Sequence, residues 1–387
     1  FLYDFGTVDA GYFDFRHQLL RDTLYRRTPD RDRRRYHARA GEFGAVLEGA
    51  SEVHASLHFE QAGLREEAYR AARAGAEEAA RMSAHREAFE LYRRAVRNLP
   101  DDVPDRERGE LLLSFSGEAG AIEENHISEE MATEARAAFL AAGDQLNAAM
   151  ALSYVLTIWR REGRPLSQRQ ALIEQAMVEI AHTPEGADRE SAAGFVGFDR
   201  LVCLVDSLQL DEARSYGSEL LDLHDRVPDD GSLSAIRTRL AMVDVLAGDP
   251  DGGLAAMARL AAEARDAGWE ATGVTAFRDT AVYAARVFDY PTVTASLAEG
   301  LVYADSIQQS HCAHIMAALV SEADWAAGRW SAAIPSGEQA MADRGCRRAP
   351  AMAGWALGFV ALGRGETERA RALLEASRRF GDESEMV

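Results

Sequence analysis

The chain has 387 residues, of which 47% are hydrophobic, and a net charge of −20. That is ample apolar material for a large core, and the acidic balance excludes broad nucleic-acid binding, because phosphates would be repelled over most of the surface. All 43 basic residues are arginine, which excludes a phosphate-loop lysine, a Schiff-base lysine and a lysine general base.

At the start of the chain, Leu2, Tyr3 and Phe5, a turn through Gly6 and Gly11, and then Tyr12, Phe13 and Phe15 read as a short β-hairpin. A helix is expected next, with Leu19, Leu20, Thr23 and Leu24 covering one face and Pro29 ending the segment. From Arg16 to Arg39 there are nine arginines against Asp22, Asp30 and Asp32. This stretch carries about +6 within a chain otherwise near −26. It reads either as a solvated helical face or as a dock for an acidic or nucleotide-bearing neighbour.

Phe15-Arg16-His17-Gln18-Leu19-Leu20-Arg21-Asp22-Thr23-Leu24-Tyr25, with Arg33-Arg34-Arg35-Tyr36-His37 after it, resembles the junction between winged-helix and repeat regions in signal-transduction ATPases with numerous domains. The likeness is to the large ATP-binding regulators of the LuxR type. It implies that the hairpin is the wing of a winged helix, that the chain is part of a longer protein, and that ATP or ADP sits on an ATPase module outside it. It further implies that His17 senses the terminal phosphate of the nucleotide and that Arg16, Arg21, Arg33 and Arg34 dock onto that module. Gln18 departs from the acid that often follows the histidine in that family.

Farther along, helix-periodic stretches are separated by five turns that begin at Leu208, Gly248, Phe288, Gly328 and Gly365, spaced by 40, 40, 40 and 37 residues. Five positions after each lies a small or slim residue, namely Ala213, Gly253, Val293, Ala333 and Ala370. A small residue there lets antiparallel helices approach closely, and a turn glycine tolerates the left-handed backbone that ends a helix. The same beat runs back through Ala171, Ala132 and Ala88. Around Ala88, the residues Ala76, Tyr92, Ala95 and Pro100 resemble the tetratricopeptide pattern. Gly163-Arg164-Pro165 and Thr183-Pro184-Glu185-Gly186 read as loops.

The expected fold is therefore all-α, a right-handed superhelical solenoid of about eight tetratricopeptide-like hairpins with a β-hairpin and winged-helix remnant at its amino end. The expected domains are residues 1–50, the remnant with a connecting helix, and residues 51–387, the repeats. In such a solenoid the first helix of each hairpin lines the concave face. Counting back fifteen residues from the small positions gives Phe198, Thr238, Arg278, Ala318 and Trp355, and counting back eleven gives Val202, Met242, Val282, Glu322 and Phe359. Phe198, Met242, Arg278, Glu322, Trp355 and Phe359 are the expected groove for a small inducer or a peptide, though an aromatic row at helical spacing can equally be core. If the groove is exposed, Arg278→Ala and Trp355→Ala should each shift stability by less than about 1.5 kcal/mol.

Other motifs carry less. His54 and His58 stand four apart without a third ligand, and His311, Cys312 and His314 lack a second pair, so no metal is expected at either. Cys203, Cys312 and Cys346 are odd in number and read as buried thiols of a reducing compartment. No run approaches the roughly eighteen apolar residues of a membrane span, and Phe1-Leu2-Tyr3-Asp4-Phe5 is no signal peptide, so the chain reads as cytoplasmic. No nucleophile elbow or paired acid and base stands out, so no enzyme activity and no cofactor are expected in the chain itself. The expected role is the sensor arm of an ATP-dependent transcriptional regulator, with a peptide-binding scaffold as the alternative. Its partners would be the ATPase module and an inducer or protein, with no direct contact to nucleic acid or membrane.

Overall fold

Left-handed backbone recurs every twenty residues along much of the chain, at Glu123, Gly143 and Gly163 and again at Gly248, Gly268, Phe288, Gln308 and Gly328. A residue in this conformation redirects the chain and lets the next amide cap the last carbonyls, so each one ends a helix. The computed structural model describes residues 2–4, 13–15, 17–46, 52–224, 231–342 and 346–385. The chain divides into two compact units, residues 1–82 with 87–103, and residues 83–86 with 104–387.

In the first unit, strands β1 (Leu2–Asp4) and β2 (Phe13–Phe15) pair antiparallel, with Tyr3 opposite Asp14. Helices α1 (Gln18–Arg27), α2 (Asp30–Val46), α3 (Glu52–Ala62), α4 (Arg65–Arg81) and α5 (His85–Arg97) follow. Two three-residue strands fall short of a winged helix, since an isolated hairpin is marginal without a third strand or a packed helix, and the expected remnant is not supported. Nor does α1 bury its apolar face. Leu19 is 77% exposed and Leu24 54%, and no residue of α1 is buried. By contrast Ala76, Ala88, Tyr92 and Ala95 are all buried, as the repeat pattern requires.

Among the described residues the second unit is built from seven consecutive hairpins. They are α6 (Asp105–Ala121) with α7 (Asn125–Ala141), α8 (Gln145–Arg161) with α9 (Leu166–Ala181), α10 (Ala187–Asp206) with α11 (Leu210–His224), and α12 (Ser232–Ala247) with α13 (Pro250–Asp266). Then come α14 (Glu270–Arg286) with α15 (Tyr290–Ser306), α16 (Ser310–Ala326) with α17 (Trp330–Ala342), and α18 (Arg348–Gly363) with α19 (Thr367–Ser384). Each helix packs on its sequence neighbours, and the first helices of successive hairpins, α6 to α18, also touch one another in an inner row. The core runs along this seam, through Ile236, Met242, Met257, Ile315 and Met316.

The small positions work as expected at Ala213, Val293, Ala333 and Ala370, which are all buried. Gly253 is the tightest, for a Cβ there would lie 2.7 Å from the Ala241 carbonyl oxygen and 2.8 Å from the Val245 nitrogen. Ala171 is an exception and is exposed; the loop through Pro165 shifts the register of α9, which buries Leu166, Arg169, Ile173 and Ala176 instead. Some hairpins are also fastened by a hydroxyl. Ser116 and Ser321, both fully buried, donate at 2.8 Å to the carbonyls of Ser128 and Ala333, each twelve residues later.

Not every helix end has glycine. Phe288 holds φ 60 with 71% of its surface exposed, so its side chain gains little from packing while its Cβ strains the turn. Phe288→Gly is expected to raise stability by about 1 kcal/mol in a urea melt.

Candidate functional site in the interior of the second unit

Three cavities of about 360, 380 and 370 Å³ open among the inner helices, and the Arg160 side chain lines all of them. The first lies between α6, α8, α10 and α12, beside Tyr154, Arg161, Phe198 and Asp199. The second lies toward α18 and α19, beside Asp206, Arg348, Trp355 and Phe380. The third is walled by Arg161, Thr238, Arg239, Arg278 and Cys312. Among the described residues the three are lined by seven arginines and four carboxylates, so the interior is cationic inside an acidic chain.

Asp279 organises this charge. Its Oδ2 lies 2.9 Å from Arg239 Nη1, and its Oδ1 accepts from Arg278 Nη2 at 2.6 Å and Nε at 2.8 Å. All three side chains are at most 7% exposed. Burial alone would raise the Asp279 pKa, but Arg278, Arg239 and Arg160 outweigh it and hold the carboxyl at about 2. Arg278 also donates to Cys312 Sγ at 3.6 Å, and Arg239 lies over the Phe198 ring at 5.8 Å. Farther out, Arg169 donates to Asp206 at 2.9 Å.

Arg160 and Arg348 differ from these. Among the described residues, no hydrogen bond or ion pair reaches either guanidinium, although both line a cavity. Burial, with Arg278 and Arg239 close by, draws the Arg160 pKa down to about 10, and burial with Arg278 lowers that of Arg348. Both remain cations at neutral pH, and an anion between them would relieve the repulsion.

Asp199 is the counterpart in the first cavity. Its Oδ2 is buried with no hydrogen-bond partner among the described residues, and burial pushes the carboxyl up to about 6 against the opposing pull of Ser153 and Arg160. A folded-state pKa above the unfolded 3.8 means that the native state holds the proton more tightly. Stability should therefore fall as pH rises from about 4 to 6. Asp199→Asn is expected to flatten that slope and to be more stable than the parent at pH 7 by on the order of 1 kcal/mol, with little difference at pH 4, as read by melting temperature across that range.

The residues singled out from sequence separate into two groups. Phe198, Arg278, Glu322 and Trp355 line the cavities. Met242 does not, being fully buried in the core, and Phe359 packs instead against Trp325 and Trp355, with centroids 5.4 and 4.8 Å apart. Position in the repeat does not decide it, since Val202 and Glu322 share the register of Met242 and Phe359 and still line cavities. Arg278 is also no loosely held groove residue, because it is buried and paired to Asp279. Its truncation should affect stability more than an exposed position would.

In the first unit, His17 is exposed at the N-cap of α1, as are Arg21 and Arg34, while Arg33 is partly buried with its guanidinium 5.1 Å over the Tyr25 ring. Arg16 lies outside the described residues. His58 does not pair with His54 but meets His37, Nδ1 to Nδ1, at 2.9 Å.

Neither a protein-family model nor a curated protein sequence matches the chain. Solved structures do. The Rap conjugation gene regulator of the plasmid pLS20, solved in complex with a Phr peptide, is 15% identical with a TM-score of 0.54, covering 73% of this chain and 76% of that one. Aspartyl phosphate phosphatase F from Bacillus subtilis is 11% identical with a TM-score of 0.50, covering 74% of this chain and 73% of that one. A signal-transduction ATPase with a tetratricopeptide repeat sensor from Pyrococcus horikoshii aligns at 11% identity and a TM-score of 0.43, over 95% of this chain and 55% of that one. The fold is thus that of the tetratricopeptide-like helical-repeat proteins. Among the described residues no helix is long and apolar enough to cross a membrane.

Proposed function

We propose that the chain is a peptide-sensing regulator that binds a short acidic peptide within the second unit. The observation that carries this reading is Arg160, a cation that no hydrogen bond or ion pair reaches among the described residues, lining all three cavities. The carboxylates of an acidic peptide would supply the missing partner for Arg160 and Arg348, and Trp355 and Phe198 offer apolar walls for side chains between the charges. Cavities of this size, mostly walled by side chains with a few convergent polar groups, suit small ligands and peptide ends. The similar conjugation regulator is described with a bound peptide, which supports the same mode here. Binding, rather than catalysis, is the proposed activity, and a cytoplasmic setting with free, buried Cys203, Cys312 and Cys346 fits it.

The test is a thermal-shift screen of short peptides ending in Asp or Glu, since a ligand that binds only the folded state raises the melting temperature. A hit should bind the parent and bind Arg160→Ala far more weakly; equal binding to both proteins would refute the placement.

A second reading, that the chain is the sensor arm of an ATP-dependent transcriptional regulator, is supported by the resemblance of residues 15–42 and by the exposed face of α1. Leu19 and Leu24 stand exposed there beside Arg21, a surface suited to docking on an ATPase module.

A further inference from the structure

The turn between α6 and α7 carries a second constellation, beside the arginine-lined interior. Glu123, at φ 65, reaches α16 and Cys346, two residues before α18. Its Oε2 lies 2.6 Å from His314 Nδ1 and its Oε1 3.4 Å from His311 Nδ1. The ligand atoms of Glu123, His311 and Cys346 all fall within 4.8 Å of one another. The Glu123 and His311 side chains are 6% and 5% exposed, and Cys346 is fully buried. Even so, Glu123 Oε1 and His311 Nδ1 have no hydrogen-bond partner among the described residues. Two buried polar atoms that face each other without sharing a proton leave a desolvation penalty uncompensated, and such orphans call for an explanation such as an ion.

We propose that Glu123, His311 and Cys346 bind one zinc-type divalent cation, and that the 40% exposed His314, whose Nδ1 lies 2.6 Å from Glu123 Oε2, turns in as the fourth ligand. Mixed nitrogen, sulfur and oxygen donors suit zinc, which is borderline in softness and takes four ligands tetrahedrally. His311 and His314 are three apart on α16 and so share a helix face. The sequence suggested Cys312 beside them, but its Sγ receives Arg278 instead, and Cys346 arrives from 223 residues beyond Glu123.

Charge favours the same assignment. On binding, the Cys346 thiol gives its proton to solvent, so a dication with one thiolate, one carboxylate and two neutral imidazoles carries no net charge. That neutrality matters beside Arg161, Arg278, Arg160 and Arg348. The cation would clasp the first hairpin of the second unit to its sixth and seventh.

The proposal is independent of the peptide reading and is tested without any peptide. Untagged full chain, stripped by chelator and dialysed, is titrated with Co²⁺ and then with Zn²⁺. One equivalent of cobalt should give the near-ultraviolet thiolate charge-transfer band and the visible bands of a tetrahedral site, and zinc should displace it. Cys346→Ser should lose the charge-transfer band, and His311→Asn should weaken binding by more than about tenfold. Should Cys346→Ser fail to fold, the Cys203→Ser/Cys312→Ser protein, in which Cys346 is the only thiol, must keep the band. Absence of the band from the parent, its persistence in a folded Cys346→Ser protein, or its loss from the double variant would overturn the site.

Discussion

Asp279→Ala is expected to lower the unfolding free energy by roughly 3 to 5 kcal/mol, the range for removing one partner of a buried ion pair. The carboxylate is held between Arg239 and Arg278 at 2.9 and 2.6 Å, and Arg160 adds to the positive field around it. Its removal leaves two guanidinium groups, each at most 7% exposed, repelling one another in a water-poor interior. Arg278→Ala should cost less, because Arg239 still neutralises Asp279. The same carboxyl gives a pH signature. Its folded-state pKa of about 2 lies below the ordinary 3.8, so its stabilisation is complete above about pH 4 and is lost as pH falls toward 2. Asp279→Asn should remove that part of the acid-induced loss, as denaturant melts at pH 2.5 and pH 6 would reveal.

Arg160→Ala is expected to do the opposite, weakening peptide binding by roughly ten- to hundredfold, as loss of a hydrogen bond to a charged group does, while leaving stability nearly unchanged. Among the described residues its guanidinium makes no hydrogen bond or ion pair, and the repulsion from Arg278 and Arg239 outweighs the attraction of Asp206 and Asp279, so truncation relieves net repulsion as it opens space. Arg348→Ala should act in the same direction. Calorimetric titration of one peptide against the three proteins, with a urea melt of each, separates a binding role from a structural one. A multi-kilocalorie loss of stability with unaltered affinity would place Arg160 in the scaffold.

The repeat was legible because its turns are local. The starts at Leu208, Gly248, Phe288, Gly328 and Gly365 coincide with the breaks within five of the hairpins, and the small residue five places on is buried at every one of them. The fixed count along the repeat puts each of the counted residues on an inner helix. Phe198, Thr238, Arg278 and Trp355 line cavities; one turn farther along, Val202 and Glu322 do as well, whereas Met242 and Phe359 do not. A signal for the charged interior was present and went unread. Asp199, Arg239 and Asp279 are spaced by 40 residues and interrupt otherwise apolar helix faces, a pattern that only a stacked repeat can bring together. The Glu123, His311 and Cys346 cluster left no such trace, since three residues from distant hairpins have no shared spacing. At the amino end, Leu19 and Leu24 have the spacing of a buried face and yet are exposed, because periodicity states that a face is apolar without stating what covers it.

The central claim, that the interior of the second unit is where ligand binds, is tested most directly by hydrogen exchange with and without a peptide hit. Slowed exchange confined to α8 around Arg160, α14 around Asp279 and the start of α18 around Arg348 is the predicted result. Protection on the outer helices α11, α13 and α15 with no change on α8 and α18 would contradict it.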